Sequence, residues 1–290
     1  MAVDTGQRRF LIRLYNAAGK LPIAVQSCIG HLVYCGLYHI TGYRRTVVQN
    51  NLKRAFPDKN AKELTLLEKK YYRHLSRLTL ELLRAMHMPQ FAFTARVTQS
   101  NPEVLRQCSA NYQRSVMILT IHQGNWEWLL HGTSAVVPLP FVAIYKPLHN
   151  TDAELFMQRL RRRFGAATVP VKRAARDIMA TRDTARCIVM LADQSPITAE
   201  HTHWPLFFGT PTAFHAGPAR LAAATGHAVV FARCSQPSPG HYCVHYEVLA
   251  EAGQAVDETQ LTQRYASAAE AAINSEPHSW LWSNRRWKRA

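Results

Sequence analysis

The sequence contains no CxxC, and its six cysteines, Cys28, Cys35, Cys108, Cys187, Cys234 and Cys243, are spaced irregularly. That pattern argues against a disulfide scaffold and for reduced thiols, several of them in apolar runs where a free cysteine acts as a small hydrophobe. There is no Gly-x-Ser-x-Gly elbow and no P-loop, so serine-hydrolase and nucleotide-phosphate chemistry have no anchor. His122, Glu127 and His131 lack the paired spacing of a zinc site, and neither a metal nor another cofactor is expected. Acidic residues are scarce: 19 Asp and Glu against 35 Lys and Arg leave a formal charge of +16. Such an excess implies an anionic partner, either a phospholipid surface, a phosphorylated lipid acceptor or an acidic carrier protein. Nucleic acid is the weaker fit, because no basic recognition helix, zinc knuckle or RNP-like aromatic motif accompanies the charge.

Charge is also absent between Lys20 and Arg44. The window 21–43 is long enough to cross a bilayer, for which about 20 apolar residues suffice. Gln26, Ser27, His31, His39 and several glycines lower its hydropathy and favour surface or re-entrant contact over a span; a buried or interfacial hairpin is the alternative. With the basic amphipathic stretch 8–20 before it, residues 1–43 read as an N-terminal membrane-associating extension. No linker-like run, repeat or low-complexity tract divides the rest, so residues 44–290 read as one domain.

Within that domain, residues 61–86 carry Leu64, Leu67, Tyr71, Leu75, Leu78 and Leu82 at three- and four-residue steps, which predicts a long helix packed on a core. From residue 116 apolar strand candidates (116–121, 140–145, 167–171, 187–192, 228–234 and 242–249) alternate with helix candidates (153–164, 173–181, 213–224 and 258–274). The alternation predicts an α/β fold with a mainly parallel or mixed sheet flanked by helices. His122, Lys146 and Asp193 each follow a strand candidate, where ligands gather in such sheets.

The segment Ile121-His122-Gln123-Gly124-Asn125-Trp126-Glu127 concentrates the chemistry. A histidine at a strand end is followed, across a Gly-Asn turn, by a carboxylate five residues on. A carboxylate that accepts from one imidazole nitrogen raises the basicity of the other, which can then take a proton from a hydroxyl. His122 and Glu127 are thus a candidate catalytic dyad, although a His and a Glu at this spacing alone decide little. Arg161, Arg163 and Lys146 are candidates for phosphate oxygens; the alternative is a solvated helix end, where cations complement the dipole. Asp193 and Gln194, after Ile188-Val189-Met190-Leu191, are candidates for the site wall. Thr210 and Thr212 are candidate caps for the helix expected near Ala213. Trp280, Trp282 and Trp287 with Arg285, Arg286, Lys288 and Arg289 suit a membrane interface, or form a plain basic tail.

HxGNWE resembles the signature of the late lipid A acyltransferases, the lauroyl/myristoyl-transferase family of Gram-negative envelope synthesis. Further blocks follow in the same order as in that family. Arg44 to Pro57 resembles its R…V..NL..AFP block, Ile144-Tyr145-Lys146-Pro147 with Asn150 its VYRPxxN segment, and Arg161-Arg162-Arg163-Phe164-Gly165 its basic turn. Asp193-Gln194 with Phe207-Phe208-Gly209-Thr210-Pro211-Thr212 resembles its D(Q/H)…FFG…T block, and Trp280 to Lys288 its WxHRRxK ending. Lys146 stands where the family usually carries Arg, and Asn284 where it usually carries His. The resemblance implies an O-acyltransferase on the cytoplasmic face of the inner membrane. It implies an acyl carrier protein thioester as donor, with acyl-CoA as the alternative, and a lipid A precursor as acceptor; the alternatives are another acceptor (a lysophospholipid, another envelope lipid or a secondary metabolite) or a non-catalytic basic protein that binds membrane or carrier protein. His122 and Glu127 would be catalytic, and Asn125, Lys146, Asn150, Arg161, Arg163, Asp193 and Gln194 would bind substrate.

Overall fold

The computed structural model describes residues 23–196 and 200–288. The basic stretch 8–20 and Arg289 therefore lie outside the described residues, as does the start of the uncharged window.

Helix α1 (Ile23–Cys35) runs into a π-helical turn at Gly36–Ile40, followed by α2 (Arg45–Ala55) and the long α3 (Ala61–Ala85). Helix α3 starts on a capping box: Asn60 Oδ1 accepts from the Lys62 and Glu63 amides, and the Glu63 carboxylate accepts from the Asn60 amide. Short elements α4 (Gln90–Thr94), β1 (Val97–Gln99) and α5 (Glu103–Cys108) lead into the alternating part. That part runs β2 (Val116–Thr120), α6 (Trp126–Ser134), β3 (Phe141–Tyr145), α7 (Thr151–Arg162), β4 (Ala167–Pro170), α8 (Val171–Ala180) and β5 (Cys187–Leu191). Two small hairpin pairings follow, β6 (Thr202–His203) with β9 (Phe214–His215) and β7 (Leu206–Phe207) with β8 (Thr210–Pro211). The chain then forms α9 (Gly217–Thr225), β10 (Ala228–Ser238), β11 (His241–Ala250) and α10 (Glu258–Ser275), with a 3-10 turn at Pro277–Ser279.

The seven-stranded sheet has the order β1-β11-β10-β2-β5-β3-β4, and only the β10–β11 pairing is antiparallel. The sheet is thus mixed and flanked by helices. Strand β2 is buried along its whole length, and its side chains divide by parity. Met117 and Leu119 join a core with α9, α10 and the C-terminal tryptophans, whereas Val116 and Ile118 join one with α6 and β3. A strand covered on both faces reads as a continuous apolar run, which is why V-M-I-L-T was visible from sequence.

The order of strands decides where a site can form. From β2 the chain crosses to β3 on one side, while from β5, the neighbour of β2, it goes on to β10 on the other. Connections leaving two adjacent strands in opposite directions open a crevice at their carboxyl ends.

The expected membrane-associating extension is not confirmed. Among the described residues no helix is long and apolar enough to cross a membrane, and Tyr34 and Tyr38, within the uncharged window, are buried in the main core. The C-terminal aromatics are corrected outright. Trp280, Trp282 and Arg286 are 1%, 0% and 0% exposed, so they are core and not an interfacial belt. Thr210 and Thr212 do not cap a helix at Ala213; residues 214–215 form β9, and α9 starts at Gly217 without a side-chain cap.

Candidate active site

The parallel register pairs Thr120 of β2 with Leu191 of β5. Two residues beyond each, His122 and Asp193 therefore leave the sheet side by side. His122 Nδ1 lies 2.6 Å from Asp193 Oδ1, and the His122 amide donates to Asp193 Oδ2 at 3.0 Å. The Trp280 indole donates to the same Oδ2 at 2.8 Å. An ionised carboxylate only accepts, so Nδ1 carries a proton, and in the neutral ring the lone pair is on Nε2. Burial opposes the charge on Asp193, but the His122 ring, the Trp280 indole and the His122 amide outweigh it and hold the carboxyl below its usual range. Tyr265 of α10 fixes the two strand ends together: its hydroxyl donates to Thr120 O at 2.8 Å and accepts from the Ala192 amide at 3.2 Å.

The expected partnership between His122 and Glu127 is not what the geometry provides. Glu127 is in the first turn of α6, 3% exposed, and its carboxylate is taken by Arg161 of α7. Arg161 Nη2 reaches Oε1 at 2.6 Å, and Nε lies 3.1 and 3.0 Å from the two oxygens. Burial disfavours the guanidinium charge, but Glu127 more than compensates and raises the Arg161 pKa further. The physical reason is local: the turn that lets a carboxylate sit five residues after the histidine also starts a helix, and the helix aims Glu127 towards α7. The carboxylate against the imidazole comes from 71 residues away.

The HQGNWE turn itself is held from all sides. Gly124 has φ +62°, and a Cβ there would meet Cys234 Sγ at 2.4 Å, so both conformation and space require glycine. Gln123 bridges antiparallel to Trp280 and donates from its side chain to Ala272 O at 2.9 Å. The His122 carbonyl accepts from the Leu281 amide at 2.9 Å, and the Gly124 amide donates to Ser279 O at 3.0 Å. Trp126 stands edge-on to the His122 ring, 5.0 Å between centroids.

The remaining residues of the motif blocks divide into two groups. Gln194 Nε2 lies 3.3 Å from His122 Nε2, and Lys146 is exposed at the end of β3, so both are on the rim. Asn125, Asn150 and Arg163 are occupied structurally. Asn125 is fully buried and caps α6. Asn150 caps α7 through the Asp152 and Ala153 amides. Arg163 donates to the carbonyls of Ala85 and Met88 at the end of α3. The resemblance implies these three as substrate contacts; in the structure Asn125 and Asn150 cap helices through Oδ1, and Arg163 is held by carbonyls at and just beyond the end of α3.

Sequence reasoning missed the contribution of the chain ends. Arg44 donates to Ser283 O at 2.9 Å, and Asn51 Nδ2 donates to the Trp282 and Asn284 carbonyls at 2.7 Å each. The N-terminal and C-terminal motif blocks thus form one clasp behind Asp193. Arg286 lies over the Phe214 ring at 4.0 Å and donates to Ala213 O; burial lowers its pKa to about 10.

The chain was compared with known proteins. A family model described as "Bacterial lipid A biosynthesis acyltransferase" matches residues 9–289. No curated protein matches it.

Proposed function

The chain belongs to the bacterial lipid A biosynthesis acyltransferase family and is an acyltransferase; from that premise we propose how its site works and on what. The donor is the thioester of an acidic acyl carrier protein or of coenzyme A, and the acceptor is a hydroxyl of a lipid A precursor. His122 Nε2 takes the proton of the acceptor hydroxyl as its oxygen attacks the thioester carbonyl. The tetrahedral intermediate collapses by breaking the C–S bond, and His122 returns the proton to the departing thiolate. A base in such a role contributes about 10²- to 10⁴-fold.

The observation that carries this reading is the 2.6 Å contact between His122 Nδ1 and Asp193 Oδ1. It fixes the tautomer whose Nε2 is basic, and it stabilises the imidazolium formed in the transition state. Asp193 acts through His122 and is a positioning residue. Glu127 acts through Arg161, holding a guanidinium of which 17% of the side chain is exposed. Arg161 and Lys146 supply cations for phosphate on the acceptor or on the carrier's prosthetic group. Gln194 occupies the space beside Nε2 and yields it to the acceptor hydroxyl. Net positive charge supports work at an anionic lipid surface, the cytoplasmic face of the inner membrane.

The test is mass spectrometry of lipid extracts from a deletion strain carrying wild type, His122→Ala or no gene. One lipid species gains an acyl chain with wild type only; the mass difference identifies the chain and the parent ion the acceptor. An unchanged lipid profile throughout refutes the lipid A acceptor.

A further inference from the structure

Glu81 lies on α3, outside the motif blocks, and the reaction as described makes no use of it. Its Oε2 accepts from Asn125 Nδ2 at 2.8 Å and from the Tyr242 hydroxyl at 2.6 Å. Its backbone carbonyl accepts from the Trp128 indole at 3.1 Å. Asn125 and Tyr242 are 0% and 1% exposed, so neither has water as a substitute partner.

The Asn125 amide has two ends with opposite needs. Its Oδ1 must face the Trp128 amide, which donates to it at 3.0 Å and caps α6. Its Nδ2 must then face an acceptor, and Glu81 is that acceptor. Rotating the amide by half a turn would set Oδ1 against the Glu81 carboxylate and Nδ2 against a backbone N–H, losing both bonds. Glu81 therefore decides which way Asn125 faces, and Asn125 decides how α6 begins. The first two residues of α6 are Trp126, edge-on to His122, and Glu127, which holds Arg161.

We propose that Glu81 is a positioning residue for acyl transfer, acting through the Asn125 side chain to set the first turn of α6 and with it the Trp126 and Glu127 flanks of the site. Burial raises the Glu81 pKa, against the opposing effect of the Tyr242 and Asn125 donors and of Arg77 and Arg84; the bonds require only an acceptor oxygen, so the amide of glutamine serves as well. The proposal rests on the acyltransfer reading for its kinetic consequence, but not for its structural one.

The test compares Glu81→Leu, Glu81→Gln, Asn125→Ala and Glu81→Leu/Asn125→Ala in the full chain. Each is assayed at a temperature where circular dichroism shows it folded, with dodecanoyl-coenzyme A and dodecanoyl carrier protein as donors and the deletion strain's lipid as acceptor. Backbone amide exchange of residues 126–130 is followed in parallel. Glu81→Leu is expected to lower kcat roughly 10- to 100-fold with KM within about twofold, as a small misplacement of reacting groups does. Exchange at Trp128 and Leu129 is expected to quicken about tenfold or more as the cap opens. Glu81→Gln restores both to within about threefold, and the double variant is no worse than the poorer single one, because the two residues act as one unit. The proposal is overturned if Glu81→Leu melts lower yet keeps its kcat, if Glu81→Gln is as poor as Glu81→Leu, or if the single losses multiply. A wild type inactive with both donors refutes the acyltransfer reading alone; the exchange arm then decides, and unchanged exchange overturns the positioning role.

Discussion

Trp280 donates its indole N–H to Asp193 Oδ2 at 2.8 Å, placing an aromatic from the C-terminal segment directly behind the carboxylate that holds His122. The carboxylate has three donors, and this is the one a side chain can withdraw without touching the histidine. A hydrogen bond to a charged group contributes about 1.5–3 kcal/mol. Trp280→Phe keeps an aromatic side chain but loses the donor and some buried volume, so kcat is expected to fall roughly tenfold, with a melting temperature lower by several degrees. Steady-state kinetics on the folded variant checks it.

Asp193→Asn should be far more damaging to activity than to stability. The amide can donate to Nδ1 as well as accept from it, which permits the wrong imidazole tautomer. A loss of about 10³- to 10⁴-fold in kcat is expected, comparable to breaking the same relation in a triad. A variant within tenfold of wild type would mean that His122 does not depend on Asp193.

Glu127 and Arg161 make the opposite prediction. Breaking a buried ion pair by removing one partner costs about 3–5 kcal/mol, whereas replacing both by apolar groups is often close to neutral. Glu127→Leu should therefore unfold at markedly lower urea, and Glu127→Leu/Arg161→Met should recover most of that loss. Activity should remain low in both, since the cation is displaced in one and absent in the other.

Much of this arrangement could be read from the chain, and the failures share a cause. Strands β2, β3, β5 and β10 and helices α3 and α10 were legible because each buries apolar residues in a regular pattern, and His122 because it follows β2 in a motif. Asp193 was legible as a strand-end carboxylate, but its pairing with His122 depends on the β2–β5 register, which no local pattern carries. Strand β1 has only three residues, too few for an alternation to show. Trp280, Trp282 and Arg286 have the composition of an interfacial belt, and only tertiary packing distinguishes that from a core in which Arg286 lies over Phe214 and Phe207.

Acid should weaken the fold through a buried histidine. His131 lies between Phe93 and Phe164, at 5.0 and 5.2 Å, and neither ring nitrogen has a hydrogen-bond partner among the described residues. Burial drives its pKa from 6.5 down to about 4. Between these values the unfolded chain binds a proton that the folded one does not, so stability falls as pH drops through this window. One such group contributes a slope of up to about 1.4 kcal/mol per pH unit. Urea titrations from pH 7 to pH 4 should show that slope in wild type and a shallower one in His131→Phe. His74, pushed down to about 3, adds to the slope in both proteins.

Gly124→Ala tests the turn itself. Left-handed backbone and a 2.4 Å approach to Cys234 Sγ act together, so the variant should lose both stability and transfer. Gly124→Ala/Cys234→Ala removes the steric part and leaves the backbone strain, about 1–2 kcal/mol. Partial recovery of the melting temperature in the double variant is the expected sign.

The clasp between Arg44 and Ser283 closes a sequence separation of 239 residues. Loop closure on that scale is costly, while a βαβ unit such as β3–α7–β4, whose strands pair directly, closes from nearby chain. A nascent polypeptide has made both His122 and Asp193 long before Trp280 leaves the ribosome. The order of synthesis thus separates having the reactive groups from having them braced: His122 and Asp193 are both made before the Trp280 indole that holds Asp193 from behind.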